Sequence, residues 1–263
     1  MSNVVQTAVV TGASSGIGVA YAEQLARRGH NLILVARRRD RLDALATKLT
    51  AETSRKVEVL VADLAKPDGV RSVEKLLAER QDVDVLVNNA GLGALGPATK
   101  TDPDAVESLV LVNVLALTRL SMAALRAFQK RNRGSLINIA SVIALGPMPG
   151  AAAYSGSKAY VMNFSRSLEL ECAGTEVAVQ TILPGPVHSE FFAQSGITKP
   201  MFPQHLYMTA DQLVATSLRA LDMKEAVSFP ALHEIAHWEE FEAARKKFAK
   251  SVVTTGVPAP RYA

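Results

Sequence analysis

Short apolar runs alternate with amphipathic stretches along almost the whole chain. The runs are rich in Val, Ile and Leu and are bounded by Gly, Pro, Asn or Asp, which is typical of strands buried on both faces of a parallel sheet. Between the runs, apolar residues recur every three or four positions, the period of a helix with one buried face. The alternation predicts a doubly wound α/β sheet, mostly or wholly parallel, with about seven strands and helices on both faces. Strands are predicted at 7–10, 31–36, 57–62, 83–87, 134–141, 177–183 and 226–229, and helices at 40–52, 67–81, 103–131, 211–221 and 233–252.

Nothing in the sequence divides the chain into parts. Its 263 residues are 48% hydrophobic and 21% charged, which is sufficient for a sizeable core. We find no linker, repeat or low-complexity tract and therefore predict a single domain over 1–263. Residues 187–210 are apolar but keep neither a helix nor a strand period, which indicates a substrate loop or lid. The proline-containing tail 254–263 is expected to be flexible.

Charge and composition exclude several classes of function. The 29 basic and 25 acidic residues give a net charge of +4, and the basic residues are scattered, so a nucleic-acid partner is not predicted. The single cysteine, Cys172, allows no intramolecular disulfide, and His205, His233 and His237 have no metal-ligand spacing, so no metal is assigned. Without an uninterrupted apolar stretch of about 18–20 residues or a leader pattern, we expect no membrane span and a soluble, cytoplasmic protein.

A glycine-rich turn joins the first predicted strand to a helix. The turn reads Thr-Gly-Ala-Ser-Ser-Gly-Ile-Gly over 11–18, and the helix ends at Gly29, directly before the second strand. In such a βαβ unit, glycines let the backbone approach a pyrophosphate, and the helix N-terminus offers free N–H groups. An ordinary strand-to-helix turn is the alternative, but this context favours a Rossmann-type dinucleotide site.

The residues at the end of the second predicted strand indicate whether the site prefers NAD(H) or NADP(H). Ala36 stands where an NAD site usually has an acidic residue that binds the ribose 2′-hydroxyl, and Arg37 follows it. An arginine there accommodates a 2′-phosphate, so we favour NADP(H). The run Arg37-Arg38-Arg39 is also compatible with the solvated start of a helix.

Tyr154 and Lys158 lie four residues apart in a predicted helix. Side chains at that spacing share one face of a helix, so a phenol and an ammonium group would be neighbours. A fixed cation favours the phenolate and should lower the pKa of Tyr154 from its usual value of about 10. Tyr154 would then be a general acid and base near neutral pH. The spacing alone also fits a solvated surface pair.

Small polar residues collect where predicted strands end. Asp63-Leu64 and Asn88-Asn89-Ala90-Gly91 follow two of the strands, and Ser141 ends a third. Open α/β sheets bind ligands at this edge. Asn113 lies in the middle of an apolar helix, where a buried amide needs hydrogen-bond partners.

Together these motifs resemble the short-chain dehydrogenase/reductase family over nearly the whole chain. The resemblance rests on 11–18, Asp63, 88–91, Asn113, Ser141, Tyr154-x-x-x-Lys158 and Pro184-Gly185, in this order and spacing. It implies a catalytic set of Asn113, Ser141, Tyr154 and Lys158, in which Tyr154 protonates a carbonyl oxygen, Ser141 holds that oxygen, Lys158 binds the nicotinamide ribose, and Asn113 holds a relay water. The cofactor residues that it implies are Gly12, Ser14, Ser15, Gly16, Ile17, Gly18, Arg37, Asp63, Leu64, Asn89, Ala90, Gly91, Tyr154, Lys158, Pro184, Gly185, Val187 and Ser189.

The chain departs from the family pattern at two places. Ala116 stands where a glycine often follows the helix asparagine, and His188-Ser189 stands where a threonine often follows Pro184-Gly185. Ser189 is a plausible replacement for that threonine. These changes affect contacts at the nicotinamide end rather than the chemistry.

The substrate is predicted only as a class. Several apolar residues could form a pocket, although each could equally belong to the core. A pocket of this kind suits a largely apolar ketone, aldehyde or secondary alcohol, and Lys199 is the only cation evident near the loop, so a strongly anionic substrate is not favoured. The pocket candidates are Leu92, Leu95, Val142, Ile143, Leu145, Pro186, Phe191, Phe192 and Phe202.

The leading hypothesis is an NADP(H)-dependent reductase or dehydrogenase of carbonyls and secondary alcohols. One alternative is an NAD-linked alcohol dehydrogenase, and another is a non-catalytic protein that senses NADP(H) by binding it. The resemblance also implies a homodimer or homotetramer that pairs through the helices at 104–131 and 152–173.

Overall fold

The computed structural model describes residues 5–191, 195 and 201–262. The chain forms two compact units that divide between Pro230 and Ala231. The first unit contains the sheet and the cavity discussed below, and the second consists of the C-terminal helix and tail. The prediction of one domain over 1–263 stays a prediction.

A seven-stranded sheet, all of whose strand pairs are parallel, forms the centre of the first unit. The strand order is β3-β2-β1-β4-β5-β6-β7, and so the chain reverses direction across the sheet between β1 and β4. The predicted doubly wound Rossmann sheet is confirmed. Its strands are β1 Thr7–Thr11, β2 Asn31–Ala36, β3 Val57–Val61, β4 Val83–Asn88, β5 Gly134–Ile139, β6 Val177–Ile182 and β7 Val227–Ser228.

Helices cover both faces of the sheet because successive strand residues point in opposite directions. Ala8 and Val10 of β1 belong to a core that includes Leu25 and Leu45, whereas Val9 belongs to a second core. The second core includes Phe128 and lies on the opposite face. The helices are α1 Gly16–Arg27, α2 Arg39–Thr53, α3 Pro67–Glu79, α4 Pro103–Val110, α5 Leu117–Arg131, α6 Ala152–Glu171, α7 Ala210–Asp222 and α8 Ile235–Ser251.

The predicted helix over 103–131 is continuous but changes its hydrogen-bond pattern in the middle. Leu111–Ala116 is a π-helical turn between α4 and α5, and it contains Asn113. Such turns often mark functional sites, because they rotate a side chain away from its α-helical position. By length and composition Pro103–Arg131 could cross a membrane, but half of its most apolar window is buried, as in a core helix. The expectation of no membrane span therefore stays a prediction.

The predicted lid over 187–210 is only partly described. Val187 pairs with Met208 in an isolated parallel bridge, and Gln204–Leu206 forms a 3-10 turn. These contacts bring the two ends of the segment together. Phe192 and Lys199, which the sequence analysis singled out, lie outside the described residues. In the predicted flexible tail, Pro260–Tyr262 forms a short 3-10 turn.

Candidate active site

A cavity of about 750 Å³ opens at the carboxyl edge of the sheet, where β1 and β4 adjoin. This is the position where open α/β sheets bind ligands, because the chain leaves neighbouring strands in opposite directions there. Every predicted cofactor residue except Gly18 lines this cavity, and so do Ser141, Tyr154 and Lys158. Gly12 and Ser189, which are 177 positions apart in sequence, therefore line the same cavity.

The glycine turn after β1 is fastened to the end of β4. The Thr11 hydroxyl donates to the Val87 carbonyl at 3.1 Å and accepts from the Ala90 N–H at 3.1 Å. In the other direction, the Asn89 amide donates to the Thr11 carbonyl at 2.9 Å. Both polar side chains therefore hydrogen-bond to backbone groups and hold the turn in one conformation. We call the backbone of this turn, residues 11–17, the cradle.

The glycines of this turn are required by space and by backbone angle. Gly12 has φ +67° and Gly16 φ +53°, in the left-handed region that favours glycine. A Cβ at Gly12 would lie 2.8 Å from the Asn89 amide nitrogen, and one at Gly18 would collide with the Gly12 carbonyl oxygen. Gly18 is thus buried behind the cradle and shapes it from outside the cavity.

The start of α1 fits the pyrophosphate of a dinucleotide. Ser15 occupies the N-cap position but makes no side-chain capping bond, so the first N–H groups of α1 keep their capacity for an anion. A Cβ at Gly16 would lie 3.1 Å from the Ser189 Cβ. The missing side chain keeps a narrow gap open between the helix start and the segment after β6. This cradle matches the donor set that the sequence predicted for NAD(P)(H).

Arginines lie at the other end of the cavity, next to β2. Arg37 lines the cavity as predicted, and Arg38 lines it too. Arg38 donates to the Ser14 hydroxyl at 2.9 Å and to the Ser15 hydroxyl at 2.9 Å. It also donates to the Glu190 carboxylate at 3.2 Å. This end of the cavity therefore presents guanidinium groups, one of them paired with Glu190, and guanidinium groups suit a phosphate.

Glu190 and Arg38 were not among the predicted site residues. Glu190 also accepts from Arg41 at 2.8 Å, and the two arginines hold the pKa of its carboxyl below the ordinary value. The contacts join the segment after β6 to α2 over 149 and 152 positions of sequence. The basic run in the sequence could have indicated Arg38 as a site residue, whereas no local sequence pattern indicates Glu190.

Tyr154 and Ser141 meet on the opposite side of the cavity. Ser141 follows β5 and caps the 3-10 turn Val142–Leu145, accepting from the Ile143 N–H at 3.4 Å. Tyr154 lies in the first turn of α6, and a hydrogen bond joins its phenol to Ser141. The Tyr154 ring packs on Phe191 with 5.2 Å between centroids. The phenol and the hydroxyl are thus presented together to one small volume.

Lys158 lies one helical turn beyond Tyr154, as the spacing predicted. Its Nζ donates to the Ile139 carbonyl at 2.7 Å and lies 5.7 Å from the centroid of the Tyr154 ring. The side chain is only 5% exposed. Burial disfavours an ammonium ion and lowers the pKa of Lys158 to about 8.

The predicted fall in the pKa of Tyr154 is wrong for this structure. Burial raises the pKa of the phenol to about 12, and the hydrogen bond with Ser141 opposes this rise only in part. Desolvation of the phenolate is the larger effect, because burial removes the water that would stabilise its negative charge. The phenol therefore carries its proton at neutral pH, the state that a proton donor needs.

Asn113 lies just behind the cavity and is fully buried. Its Nδ2 donates to the Leu92 carbonyl at 2.9 Å and to the Ser157 hydroxyl at 3.2 Å, and its Oδ1 accepts from the Leu92 N–H at 2.8 Å. One lone pair of Oδ1 remains. A Cβ at Gly91 would lie 3.5 Å from that oxygen and 3.7 Å from the Lys158 Nζ, so the glycine leaves space between them.

The family model for short chain dehydrogenases matches residues 6–199, which carry the cradle and all four predicted catalytic residues. The chain belongs to the short-chain dehydrogenase/reductase family. It is therefore an oxidoreductase that acts on carbonyl or alcohol substrates with NAD(P)H.

Relatives of this dehydrogenase include proteins with steroid and ketone activities. Human 17-beta-hydroxysteroid dehydrogenase type 3 is 34% identical over 232 residues, which cover 88% of this chain and 73% of that protein. A short-chain dehydrogenase from Sphingobium yanoikuyae in complex with NADPH is 38% identical, with a TM-score of 0.93 and coverage of 98% and 100%. The bulky-bulky ketone specific alcohol dehydrogenase from Comamonas testosteroni is 36% identical, with a TM-score of 0.89 and coverage of 98% of both chains.

Most apolar pocket candidates of this dehydrogenase line the same cavity. Leu145 is 40% exposed and does not belong to the described lining, and Phe192 falls outside the described residues. Met148 and Met201 line the cavity without having been predicted, since methionine in a loop has no distinctive pattern. The candidates that do line it are Leu92, Leu95, Val142, Ile143, Pro186, Phe191 and Phe202.

Proposed function

We propose that this dehydrogenase is an NADPH-dependent reductase of bulky, largely apolar ketones. The observation that carries the proposal is the meeting of the Tyr154 phenol and the Ser141 hydroxyl in a cavity lined by apolar side chains. Two neighbouring hydroxyl groups, each able to rotate its proton towards a ligand, suit a carbonyl oxygen, which gains negative charge when the carbonyl is reduced.

The protein would supply the proton and hold the substrate. The phenol of Tyr154, protonated at neutral pH, would donate its proton to the substrate oxygen, while the Ser141 hydroxyl would hold that oxygen in place. The ammonium of Lys158, next to the phenol, would stabilise the phenolate that remains. The remaining lone pair of Asn113 would hold a water that returns a proton to Lys158 through the space at Gly91. The bound nicotinamide would supply the hydride.

The preference for NADP(H) over NAD(H) is supported by the arginines next to β2. Arg37 and Arg38 both line the cavity there, and Ser14 and Ser15 hold Arg38. Guanidinium groups bind phosphate by charge-assisted hydrogen bonds, whereas a ribose 2′-hydroxyl gains little from them.

Replacing Arg37 with Ala should weaken NADPH binding by about 10–100-fold, the loss that follows when one or two charge-assisted hydrogen bonds disappear. NADH binding should change little, because NADH has no 2′-phosphate. Titration of the fluorescence of each nucleotide measures the two affinities. Arg39→Ala is the matched control, since Arg39 belongs to the same basic run but not to the described lining. An Arg37→Ala variant with an unchanged preference would favour an NAD-linked alcohol dehydrogenase.

The substrate class is supported by the walls of the cavity beside Tyr154. Phe191, Phe202 and Met201 lie on the side of the predicted lid, and Val142, Ile143 and Met148 follow β5. Apolar walls of this extent bind apolar groups by removing them from water. The names of the Comamonas and human relatives point to bulky ketones and steroids, which have apolar groups on both sides of the carbonyl.

Ketones matched in size should therefore differ strongly in turnover. A diaryl ketone is expected to give a kcat/KM about 10–100-fold above that of the same ketone with a carboxylate on its ring. The carboxylate would lose its hydrogen bonds to water on entering the pocket, and the apolar walls would not replace them. Oxidation of NADPH, followed by its absorbance, measures both rates. Equal rates for the neutral and anionic ketones would overturn the substrate class. Tight NADPH binding without turnover of any ketone would instead favour the non-catalytic sensor.

A further inference from the structure

The C-terminal helix α8 exposes nearly all of its side chains. Along Ile235–Ser251, which the structure describes completely, only Glu242 is buried. Phe241 is 43% exposed, Phe248 is 69% exposed and Val252, which follows the helix, is 61% exposed. Surface helices normally turn such residues inwards, so an exposed apolar face of this kind indicates an interaction surface.

The exposed apolar residues form one stripe along α8. Phe241 and Phe248 are seven positions apart, and Val252 is four beyond Phe248, so all three lie on one face at heptad spacing. Ala244 lies between the two phenylalanines on this face and allows close approach. We call Phe241, Ala244, Phe248 and Val252 the α8 stripe.

The charges of α8 are segregated along its length. The acidic residues lie in the first half of the helix and the basic residues in the second half. A second copy of the helix in the reverse direction would place each acidic half against a basic half, whereas a parallel copy would place like charges together. The acidic residues are Glu239, Glu240 and Glu242, and the basic residues are Arg245, Lys246, Lys247 and Lys250.

The stripe and the charges share a two-fold pattern. Phe241 and Phe248 are equidistant from the midpoint between Ala244 and Arg245, so an antiparallel pair would stack each Phe241 on the partner's Phe248. Glu240 and Lys247 flank the stripe on the same side, and their midpoint lies one residue before that of the phenylalanines. In the same pair, Lys247 would therefore lie two residues, about 3 Å, from the position directly opposite the partner's Glu240, within reach of these long side chains. Such a contact is isologous, as in two-fold dimers.

We propose that α8 is a homodimerisation element that pairs antiparallel with α8 of a second copy of this chain. The occupant is a second copy because the helix is complementary to itself in both its apolar spacing and its charge order. This interface is separate from the helices at 104–131 and 152–173, which the sequence resemblance implied for oligomer contacts. The proposal stands independently of the catalytic function.

The apolar part of the interface is tested with Phe248→Glu, which changes an exposed side chain and leaves the catalytic cavity intact. We expect this variant to weaken the association that α8 makes by about 30-fold or more, as for a central aromatic anchor. Sedimentation velocity over a concentration series measures it, and circular dichroism checks that the fold is retained. If the protein also associates through another face, the variant should form assemblies with half as many subunits as the wild-type assembly. Wild-type protein that stays monomeric, or an unchanged assembly of Phe248→Glu, would overturn the proposal.

The antiparallel register is tested by exchanging charges. Glu240→Lys and Lys247→Glu should each weaken the association several-fold, because each brings like charges together in both halves of the pair. The double variant should restore it, since the swapped charges again meet opposite ones. Two single defects that add up in the double variant would exclude this register.

The position of the two-fold axis is tested by cross-linking. Ala244→Cys places a thiol near the axis, whereas Ala243→Cys places one about 100° around the helix. A short bis-maleimide should link Ala244→Cys into dimers and leave Ala243→Cys as single chains. The native Cys172 is buried, so we expect it to react little with the cross-linker. Equal linking of both variants, or of neither, would contradict the pairing.

Discussion

Replacing Tyr154 with Phe should lower kcat for ketone reduction by about 10²–10⁴-fold, the range for loss of a positioned general acid. The substitution removes the phenolic oxygen that hydrogen-bonds to Ser141 and keeps the ring that packs on Phe191 at 5.2 Å. NADPH affinity should stay within a few-fold of the wild type, because the cradle around Gly12 and the arginines are untouched. Steady-state kinetics gives kcat, and nucleotide fluorescence gives the affinity.

The matched control for this prediction lies on the same helix. Tyr160→Phe also removes one phenolic oxygen from α6, but that oxygen contacts the Thr118 hydroxyl at 2.8 Å and Tyr160 is not among the residues lining the cavity. It should keep nearly full turnover. A Tyr154→Phe variant that reduces ketones as fast as the control would show that another group gives the proton.

The pH dependence of reduction follows from the protonation state of Tyr154. With a pKa of about 12, the phenol keeps its proton throughout the neutral range, as the proposed proton donor must. Oxidation of an alcohol needs the phenolate, which burial disfavours. A bound cation beside the ring would lower that cost, and Lys158 keeps most of its charge below about pH 8.

Local patterns were sufficient to predict the fold and most of the cavity. The glycines at 12, 16 and 18 are demanded by backbone angle and space within one turn, and the four-residue step from Tyr154 to Lys158 is a property of any helix. The apolar strands identified the sheet because both faces of a parallel sheet are buried. Their carboxyl ends then identified the edge at which polar residues meet.

Contacts between distant parts of the chain could not be predicted in this way. The link from Glu190 to Arg38 and Arg41 depends on how the segment after β6 crosses the cavity, and no short pattern encodes that path. The pKa of Tyr154 was predicted in the wrong direction for the same reason. Charge proximity along a helix is visible in sequence, whereas the depth at which the fold buries the phenol is not.

The buried ammonium of Lys158 should make the protein less stable than it could be. A fall in pKa from 10.5 to about 8 means that folding disfavours the charged form by roughly 3 kcal/mol. Lys158→Met removes this cost and keeps the length of the side chain, but it leaves the Ile139 carbonyl without this donor, which costs about 1–3 kcal/mol. The free energy of unfolding of the variant should therefore exceed that of wild type by up to about 2 kcal/mol at pH 7.

The same substitution should lower kcat/KM by about 10²-fold or more, because under the proposed mechanism the phenolate of Tyr154 would lose its cation and the relay from Asn113 would lose its last member. Stability and activity would then move in opposite directions, as expected when a fold keeps a costly group for its chemistry. Urea unfolding at a series of pH values measures the first effect and NADPH oxidation the second.

The pH series distinguishes this cause from general repacking around position 158. Below about pH 8 Lys158 is charged in both the folded and the unfolded chain, so the advantage of Lys158→Met should be constant and largest there. Between about pH 8 and 10.5 the folded wild type releases its proton first and gains stability, so the advantage should shrink. Lys48→Met, at an exposed lysine that binds Glu23 at 2.7 Å, should show no such gain. An advantage of Lys158→Met that does not change with pH would mean that a better apolar fit, rather than removal of a buried charge, stabilises the variant.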